Sequence, residues 1–260
     1  MDISKLKQRL ASLQNPRGKK EELSQDFWKP GVGKHQIRIV PSKYDKQNPF
    51  KELYFHYEVG GKTMISPINF GEKDPIVEFA QGLRKTGDWQ SAKKLEPRMR
   101  IFAPVLVRGE EEKGIRLWGF GKQIYMDLLK FSEDEDIGDY TDPVEGRDII
   151  VEVEDKANTG LSFNTPKARV SVKSTPISKE ASKVEQWLNT QPDVLSIFKR
   201  YSYDELKTEL QKYLNPEQPE AEKIVDDIEE PKAIEETPKT FSLNTAKKDT
   251  DTSFDDLFNL

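Results

Sequence analysis

Residues 99–120 read MRIFAPVLVRGEEEKGIRLWGF. Two runs rich in β-branched and aromatic residues, Met99 to Val107 and Ile115 to Phe120, flank an acidic loop that begins and ends with glycine. Runs of this length on either side of a glycine-containing turn predict a pair of antiparallel strands. Similar short runs occur on both sides of this pair in the chain.

Further strand-like runs alternate with turn residues before and after residues 99–120. They are His35 to Val40, Leu53 to Val59, Lys62 to Ile65, Asp148 to Glu154 and Lys167 to Lys173. Between the second and third of these runs, Gly60-Gly61 predicts a two-residue hairpin turn with positive φ. Short strands at this spacing are typical of a small closed or partly open barrel. We therefore expect an α+β fold that is mainly β, with a barrel core.

Helical periodicity interrupts and then follows the strands. One helix is predicted from Asp74-Pro75 toward Arg84, and another from Lys122 to Phe131. After residue 178 apolar residues return at helical spacing, and we expect these helices to pack on the barrel as a closing layer. Those apolar residues are Val184, Trp187, Leu188, Val194, Ile197, Phe198, Leu206, Leu210, Tyr213 and Leu214.

Charge divides the chain into three predicted parts: a basic arm at 1–20, a core at 21–214 and an acidic tail at 215–260. The net charge is −5 over 260 residues, but the arm has six Lys or Arg against one Asp, and the tail has 13 Asp or Glu against five Lys. Apolar residues of the arm recur at helical spacing, which predicts a basic amphipathic helix docked either on its own core or on another molecule. The tail has too few apolar residues to fold alone, and it ends in an acidic peptide with aromatic and aliphatic residues.

Composition argues against most catalytic and metal-binding classes. The chain has no cysteine and two histidines, His35 and His56, and it has no apolar run long enough to cross a membrane. Phosphate-binding loops, dinucleotide-binding loops and nucleophile elbows are also missing from the sequence. The carboxylate-rich stretch 133–142 is interpreted as a solvated acidic loop, with a metal-dependent nuclease as the less favoured alternative. We expect no enzymatic activity, no cofactor and no metal.

Basic residues interleaved with aromatic residues give the main functional signal. Residues 84–100 hold six cations against two acids, next to Trp89. Unpaired nucleic acid needs this mixture, since cations neutralise phosphates and aromatic faces stack on bases. The candidate phosphate contacts are Arg38, Lys43, Arg84, Lys85, Lys93, Lys94, Arg98, Arg100, Arg116 and Lys122. The candidate stacking residues are Tyr54, Tyr57, Trp89, Trp118 and Tyr125, and the alternative for each is a place in the core or on an ordinary surface.

Nearly the whole chain resembles the helix-destabilising single-stranded DNA-binding protein of T-even-like phages. The matching stretches are Ile37 to Lys43, Pro49-Phe50, His56, Ala103 to Val107, Ile115 to Tyr125, Asp142 to Val151 and Asp255 to Leu260. The resemblance implies an OB-fold core that binds the strand in a cleft next to residues 84–100. It also implies a basic arm for cooperative self-association and an acidic tail for replication partners such as DNA polymerase, helicase loader and primase-helicase.

The resemblance assigns roles to both termini. Candidate cooperativity residues in the arm are Lys5, Lys7, Arg9 and Ser12. Candidate partner-binding residues in the tail are Phe254, Asp255, Asp256, Leu257, Phe258 and Leu260. Under this hypothesis the protein coats unpaired DNA without sequence preference during phage replication, recombination and repair, in the cytoplasm of the infected bacterial host. The alternative is a replication adaptor or scaffold that binds nucleic acid only incidentally.

One departure from the resembled family concerns its structural zinc. That zinc is held by a histidine and three cysteines, and His56 is similar in position to the histidine. At the expected cysteine positions this chain has Ile68 and Asp74-Pro75-Ile76-Val77. We therefore expect apolar packing to replace the metal. The residues expected to supply that packing are Ile68, Phe70, Ile76, Val77 and Phe79.

Overall fold

The computed structural model describes residues 26–57 and 59–215. Its strands are β1 (Phe27–Trp28), β2 (Gly33–Ile39), β3 (Lys51–His56), β4 (Met64–Ile65), β5 (Arg98–Val107), β6 (Ile115–Phe120), β7 (Arg147–Glu154) and β8 (Thr165–Ser174). Its α-helices are α1 (Pro75–Lys85), α2 (Trp89–Leu95), α3 (Lys122–Ser132), α4 (Lys156–Thr159), α5 (Ala181–Asn189), α6 (Val194–Ile197) and α7 (Tyr203–Leu214). Short 3₁₀ turns lie at Val59–Gly61, Pro67–Phe70 and Glu111–Lys113. The basic arm and nearly all of the acidic tail lie outside the described residues.

The described residues form two compact units. The sheet unit comprises residues 26–53 and 99–198, and the helical unit comprises residues 54–57, 59–98 and 199–215. No helix in the described ranges is long and apolar enough to span a membrane.

Six strands of the sheet unit lie side by side in the order β1-β6-β5-β2-β7-β8. Its strand pairs are antiparallel except for β1 with β6. The strands predicted at residues 99–120 pair as expected, with Ala103 opposite Trp118. The mixed α+β class and the mainly β core are confirmed.

The apolar core of the sheet unit comes from the inward faces of these strands and from α3. Ile37 and Ile39 alternate with Arg38 along β2 and lie in this core with Val105 of β5 and Val151 of β7. A second, smaller cluster forms where Val184, Trp187 and Leu188 of α5 pack on the buried side chains of Val40, Leu106 and Ile115. The expected closing layer is therefore confirmed for α5.

The helical unit has a separate apolar core. Its buried residues include Met64 of β4, Phe79 and Leu83 of α1, and Leu206 and Leu210 of α7. The expectation that every helix after residue 178 packs on the barrel is thus wrong for α7, whose apolar face packs in the core of the helical unit. Periodicity identifies the apolar face of a helix but not the core that covers it.

The predicted hairpin around Gly60-Gly61 is present with a longer connection. Phe55 pairs with Ile65, and both glycines have positive φ, at +64° and +65°. However, β3 ends at His56 and a 3₁₀ turn occupies Val59–Gly61, so the connection exceeds two residues.

A buried ionic cluster joins three parts of the sheet unit: β2, β7 and the residue that follows β5. The Asp148 carboxylate accepts hydrogen bonds from Arg38 Nε at 2.9 Å, from Arg108 Nε and Nη2 at 3.0 Å, and from Gln36 Nε2 at 2.7 Å. Burial raises the pKa of Asp148, but the hydrogen bonds from Arg108 and Gln36 and the charge of Arg38 outweigh this effect and hold the pKa below its usual value. The carboxylate therefore stays ionised inside the protein.

We predict that Asp148→Asn lowers the free energy of unfolding by about 3 kcal/mol at pH 7, because it leaves the buried Arg38 and the half-buried Arg108 without their counter-charge. The loss should be seen in urea unfolding. It should shrink as the pH falls below the ordinary Asp pKa of about 3.9, because protonation of Asp148 then removes the same charge from the unchanged protein.

Glu154→Gln is the matched control, since Glu154 also lies on β7 but forms an exposed pair with Lys167 at 2.7 Å. It should change unfolding little. Equal losses from the two variants would show that the buried cluster does not stabilise the fold.

Candidate nucleic-acid interface

The basic surface of the helical unit is built by α1 and α2, which pack side by side. Asp74 begins α1, where its side chain accepts hydrogen bonds from Ile76 N at 2.9 Å and Val77 N at 3.3 Å. Asp88 begins α2 by accepting from Ser91 N at 3.1 Å. Between the helices Gly87 has φ +88°, which allows a tight turn.

The outer face of these helices carries a group that we call the basic helix pair: Arg84, Lys85, Trp89, Lys93 and Lys94. All five side chains are exposed, and Trp89 is 63% exposed. The Arg84 guanidinium lies 5.6 Å from the centre of the Trp89 ring and also pairs with Glu96. The three lysines make no hydrogen bond or ion pair with the described residues. Five of the predicted DNA-contacting residues are therefore exposed on these two packed helices.

The other candidate DNA contacts of the helical unit are not part of the basic helix pair. Tyr57 is exposed, and its ring centre lies 6.0 Å from that of Phe55. Tyr54 is half-buried, and its backbone amide donates to Asn69 at 2.9 Å. Arg98 is exposed at the start of β5.

Three predicted phosphate contacts of the sheet unit are exposed. Lys43 Nζ donates to the Asn189 carbonyl at 2.8 Å, and Arg100 Nη2 donates to the Gly119 carbonyl at 3.1 Å. Lys122 begins α3 and has no partner in the described part of the chain. These three side chains remain candidates for phosphate binding.

Two predicted phosphate contacts are corrected because their guanidinium groups are buried. Arg38 has no exposed surface, and besides Asp148 it binds the Asp142 carbonyl at 3.2 Å and the Thr175 hydroxyl at 2.9 Å. Arg116 is 8% exposed and donates to Glu110 at 2.8 Å. Arg38 is thus structural. Arg116 is not an exposed contact like Lys43 or Lys122, and its accessible part lines a cleft of the sheet unit.

Two predicted stacking residues are corrected for the same reason. Trp118 is 1% exposed, and its ring centre lies 4.5 Å from that of Phe120 in the core. Tyr125 is also buried and packs edge-on against Phe50. Burial and the nearby carboxylate of Glu52 raise the pKa of Tyr125 to about 12. Neither ring has a face open to a base.

The structure adds two exposed aromatic residues that the sequence interpretation missed. Phe163 is 62% exposed in the loop between β7 and β8, close in sequence to exposed Lys156. Tyr44 is also exposed, with Lys43 Nζ 5.9 Å from its ring centre. An aromatic residue in a turn-rich loop with cations nearby was the available signal in both cases.

The residues around His56 do not fit the zinc of the resembled family. His56 Nδ1 lies 3.0 Å from the Leu95 carbonyl, and Nε2 lies 2.9 Å from Asp74 Oδ2, so both ring nitrogens have protein partners. Ser66 donates its hydroxyl proton to the same Asp74 oxygen. In the described ranges no three His, Cys, Asp or Glu side chains cluster as metal ligands would.

Apolar packing replaces the metal only in part. Ile76 and Phe79 are buried in the core of the helical unit, whereas Phe70 and Val77 are half-buried. Ile68 is 38% exposed, so its expected place in the core is wrong. The hydrogen bonds of His56 supply the remaining link, because they join β3 to the start of α1 and the end of α2.

Comparison of the chain with models of known protein families identifies its family. The model of the gp32 DNA binding protein-like family matches residues 31–215. The chain belongs to this gp32-like family of single-stranded DNA-binding proteins. A search of curated proteins found no match to the chain. Single-stranded DNA is therefore the ligand that the family match supports for this gp32-like protein.

We predict that the purified gp32-like protein contains no stoichiometric zinc and that a chelator leaves its melting temperature unchanged. The physical reason is that His56 is held by Asp74 and Leu95, while the chain supplies no thiolate. Elemental analysis and a thermal melt with and without chelator test this prediction. About one zinc per chain, or a melt lowered by the chelator, would contradict it.

Proposed function

We propose that this protein coats single-stranded DNA cooperatively and without sequence preference, with the basic helix pair as a principal contact surface. The observation that carries the proposal is an exposed tryptophan among lysines that have no partner in the described residues. Cations neutralise the phosphates, and stacking on an aromatic face adds roughly 1–3 kcal/mol per base, whichever base is present. Such a surface favours unpaired strands, since the faces of paired bases are already stacked.

We further propose that the sheet unit is an OB-fold. Its strands β2, β5, β6, β7 and β8 pair in an order that supports this fold. OB-folds bind oligonucleotides on the face of their second and third strands and in the loops after the first and fourth. In this chain those positions correspond to β5 and β6 with Arg100, to the segment that contains the basic helix pair, and to the loop with Phe163. The predicted cleft beside residues 84–100 remains part of the proposal.

The protein is proposed to act by binding alone, without catalysis. Because it binds unpaired DNA and not duplex, it shifts the melting equilibrium by mass action and thereby destabilises helices. This action suits phage replication, recombination and repair in the cytoplasm of an infected bacterium. The acidic tail, outside the described residues, is proposed to recruit replication proteins through its final apolar and acidic residues.

We predict that Trp89→Ala weakens binding to an oligothymidine by roughly 5- to 150-fold, the equivalent of about 1–3 kcal/mol of stacking. The exposed position of Trp89 should leave folding unchanged. Trp89→Phe is the matched variant, which keeps an aromatic face and should lose less affinity. Fluorescence anisotropy of a labelled strand measures all three proteins, and equal affinities would remove Trp89 from the interface.

The lysines are tested by salt dependence. Lys93→Gln/Lys94→Gln should reduce the slope of log K against log salt by about 1.4, because each phosphate contact on a single strand contributes about 0.7. Lys73→Gln/Lys179→Gln removes the same charge from exposed lysines elsewhere and should leave the slope nearly unchanged. Equal slopes for the two double variants would show that the basic helix pair does not contact phosphates. Tight binding by the unchanged protein would also exclude the adaptor alternative.

Cooperativity is predicted to depend on the arm. Deletion of residues 1–18 should abolish cooperative binding to a long strand, while binding to an oligonucleotide that holds one protein stays nearly intact. The reason is that the arm is proposed to dock on the neighbouring protein and not on DNA. Equal losses on short and long strands would instead place the arm in the DNA site.

A further inference from the structure

A cleft of about 410 Å³ lies within the sheet unit, apart from the surfaces used above. Phe27, Trp28, Lys29, His35, Glu110 and Arg116 line it. Sites for small ligands generally begin at about 300 Å³, so the cleft can accept a ligand of nucleotide size. Its lining combines aromatic rings, two cations and a single carboxylate.

The Arg116 side chain lacks one of its expected partners. Its Nη2 donates to Glu110 at 2.8 Å, but its Nε is buried with no hydrogen-bond partner. Within the described ranges the one other buried side-chain polar atom in this condition is Thr165 Oγ1. A buried donor without an acceptor costs about 1–3 kcal/mol, so such a group calls for an acceptor that the described residues do not supply.

The second cation is also available for a ligand. Lys29 is exposed and makes no hydrogen bond or ion pair with the described residues. Glu110 is the one acid of the lining, and hydrogen bonds from Lys113 and Arg116 lower its pKa, so it remains an anion already bound to two cations. Among the residues that line the cleft, the two cations outnumber the one acid, which favours an anionic ligand.

The aromatic lining favours a ligand with a planar group. The ring centres of Trp28 and His35 lie 5.7 Å apart in an edge-to-face arrangement, and His35 Nε2 lies 2.9 Å from the Gly31 carbonyl. This contact fixes the half-buried His35 ring at the side of the cleft. Trp28 is buried behind this ring, so a heterocyclic base can pack against His35 while its phosphate reaches the cations.

We propose that this cleft binds one nucleoside monophosphate unit, with the phosphate on Arg116 and Lys29 and the base against His35. The unit can be a free mononucleotide or one nucleotide of a strand, since both present the same base and phosphate. Only the second source rests on the proposed function. For the free nucleotide the proposal goes beyond strand coating.

The test is an NMR titration of the full-length protein with thymidine monophosphate. The Nε–H resonance of Arg116, assigned by its disappearance in Arg116→Lys, should shift with saturation in the millimolar range or below. Thymidine alone and inorganic phosphate alone should each bind at least tenfold more weakly. No shift with thymidine monophosphate would overturn the proposal, and equal binding of inorganic phosphate would reduce the cleft to a simple anion site and overturn its nucleotide specificity.

Lys29→Gln and Lys113→Gln form a matched pair, because both remove one charge near Glu110 but only Lys29 lines the cleft. Lys29→Gln should weaken thymidine monophosphate binding at least threefold, and Lys113→Gln less than twofold. Equal effects would overturn the assignment of Lys29.

An oligothymidine titration of the same sample separates the two sources. A shift of the Arg116 resonance at one-to-one stoichiometry would place a nucleotide of the strand in the cleft. An unshifted resonance with a bound strand would restrict the cleft to free nucleotides. Absence of strand binding would contradict the proposed function. The titration with thymidine monophosphate would then test the cleft independently.

Discussion

The carboxylate of Asp148 holds the sheet unit together. It lies on β7 and binds Arg38 of β2, Arg108 beyond the end of β5, and Gln36. The two arginines also donate to backbone carbonyls of residues 175–177, after β8. A buried charge is tolerated only with partners in good geometry, so the register of three strands and the path of the chain after β8 must agree before this cluster can form. The smaller apolar cluster under α5 includes Ile177, whose carbonyl belongs to the same network.

A second buried carboxylate has a comparable role in the helical unit. Asp74 caps the first turn of α1 and also accepts hydrogen bonds from Ser66 and His56. Burial raises the pKa of Asp74, but the hydrogen bond and charge of His56 outweigh this effect, so the pKa lies below its usual value. A hydrogen-bonded network thus connects β3 with α1 and α2, the two helices that carry the basic helix pair. This buried network therefore fixes the start of α1, the helix that ends with Arg84 and Lys85.

Much of the fold was predictable because its elements have strong periods. The strand runs at β2, β5, β6, β7 and β8 were found within a few residues, and Asp74-Pro75 correctly marked the start of α1. The site residues were harder to predict. Alternation along a strand separates its two faces, but it does not show whether the face opposite the core is exposed to solvent or covered by another segment. Arg38 alternates with Ile37 and Ile39 as a solvent-facing residue would, yet the segments around Asp142 and Thr175 cover it. On β6 both faces are covered, so the pattern gave no reason to separate Trp118 from an exposed stacking residue.

The chemical difference between arginine and lysine explains which cations form hydrogen bonds within the fold. Arg38, Arg108 and Arg147 each bind several carbonyl or carboxylate oxygens, as a planar guanidinium with five donors can. Lys93 and Lys94, whose charge sits at the end of a flexible chain, remain in solvent without such partners. These three arginines therefore stabilise the sheet unit, while Lys93 and Lys94 supply charge that folding does not require. The arginines with internal partners and the exposed lysines are almost entirely different residues. The lysines of the binding surface can therefore be substituted without loss of the fold. Arg116 is an exception, because its buried Nε has no hydrogen-bond partner among the described residues, and this is why we place the proposed ligand beside it.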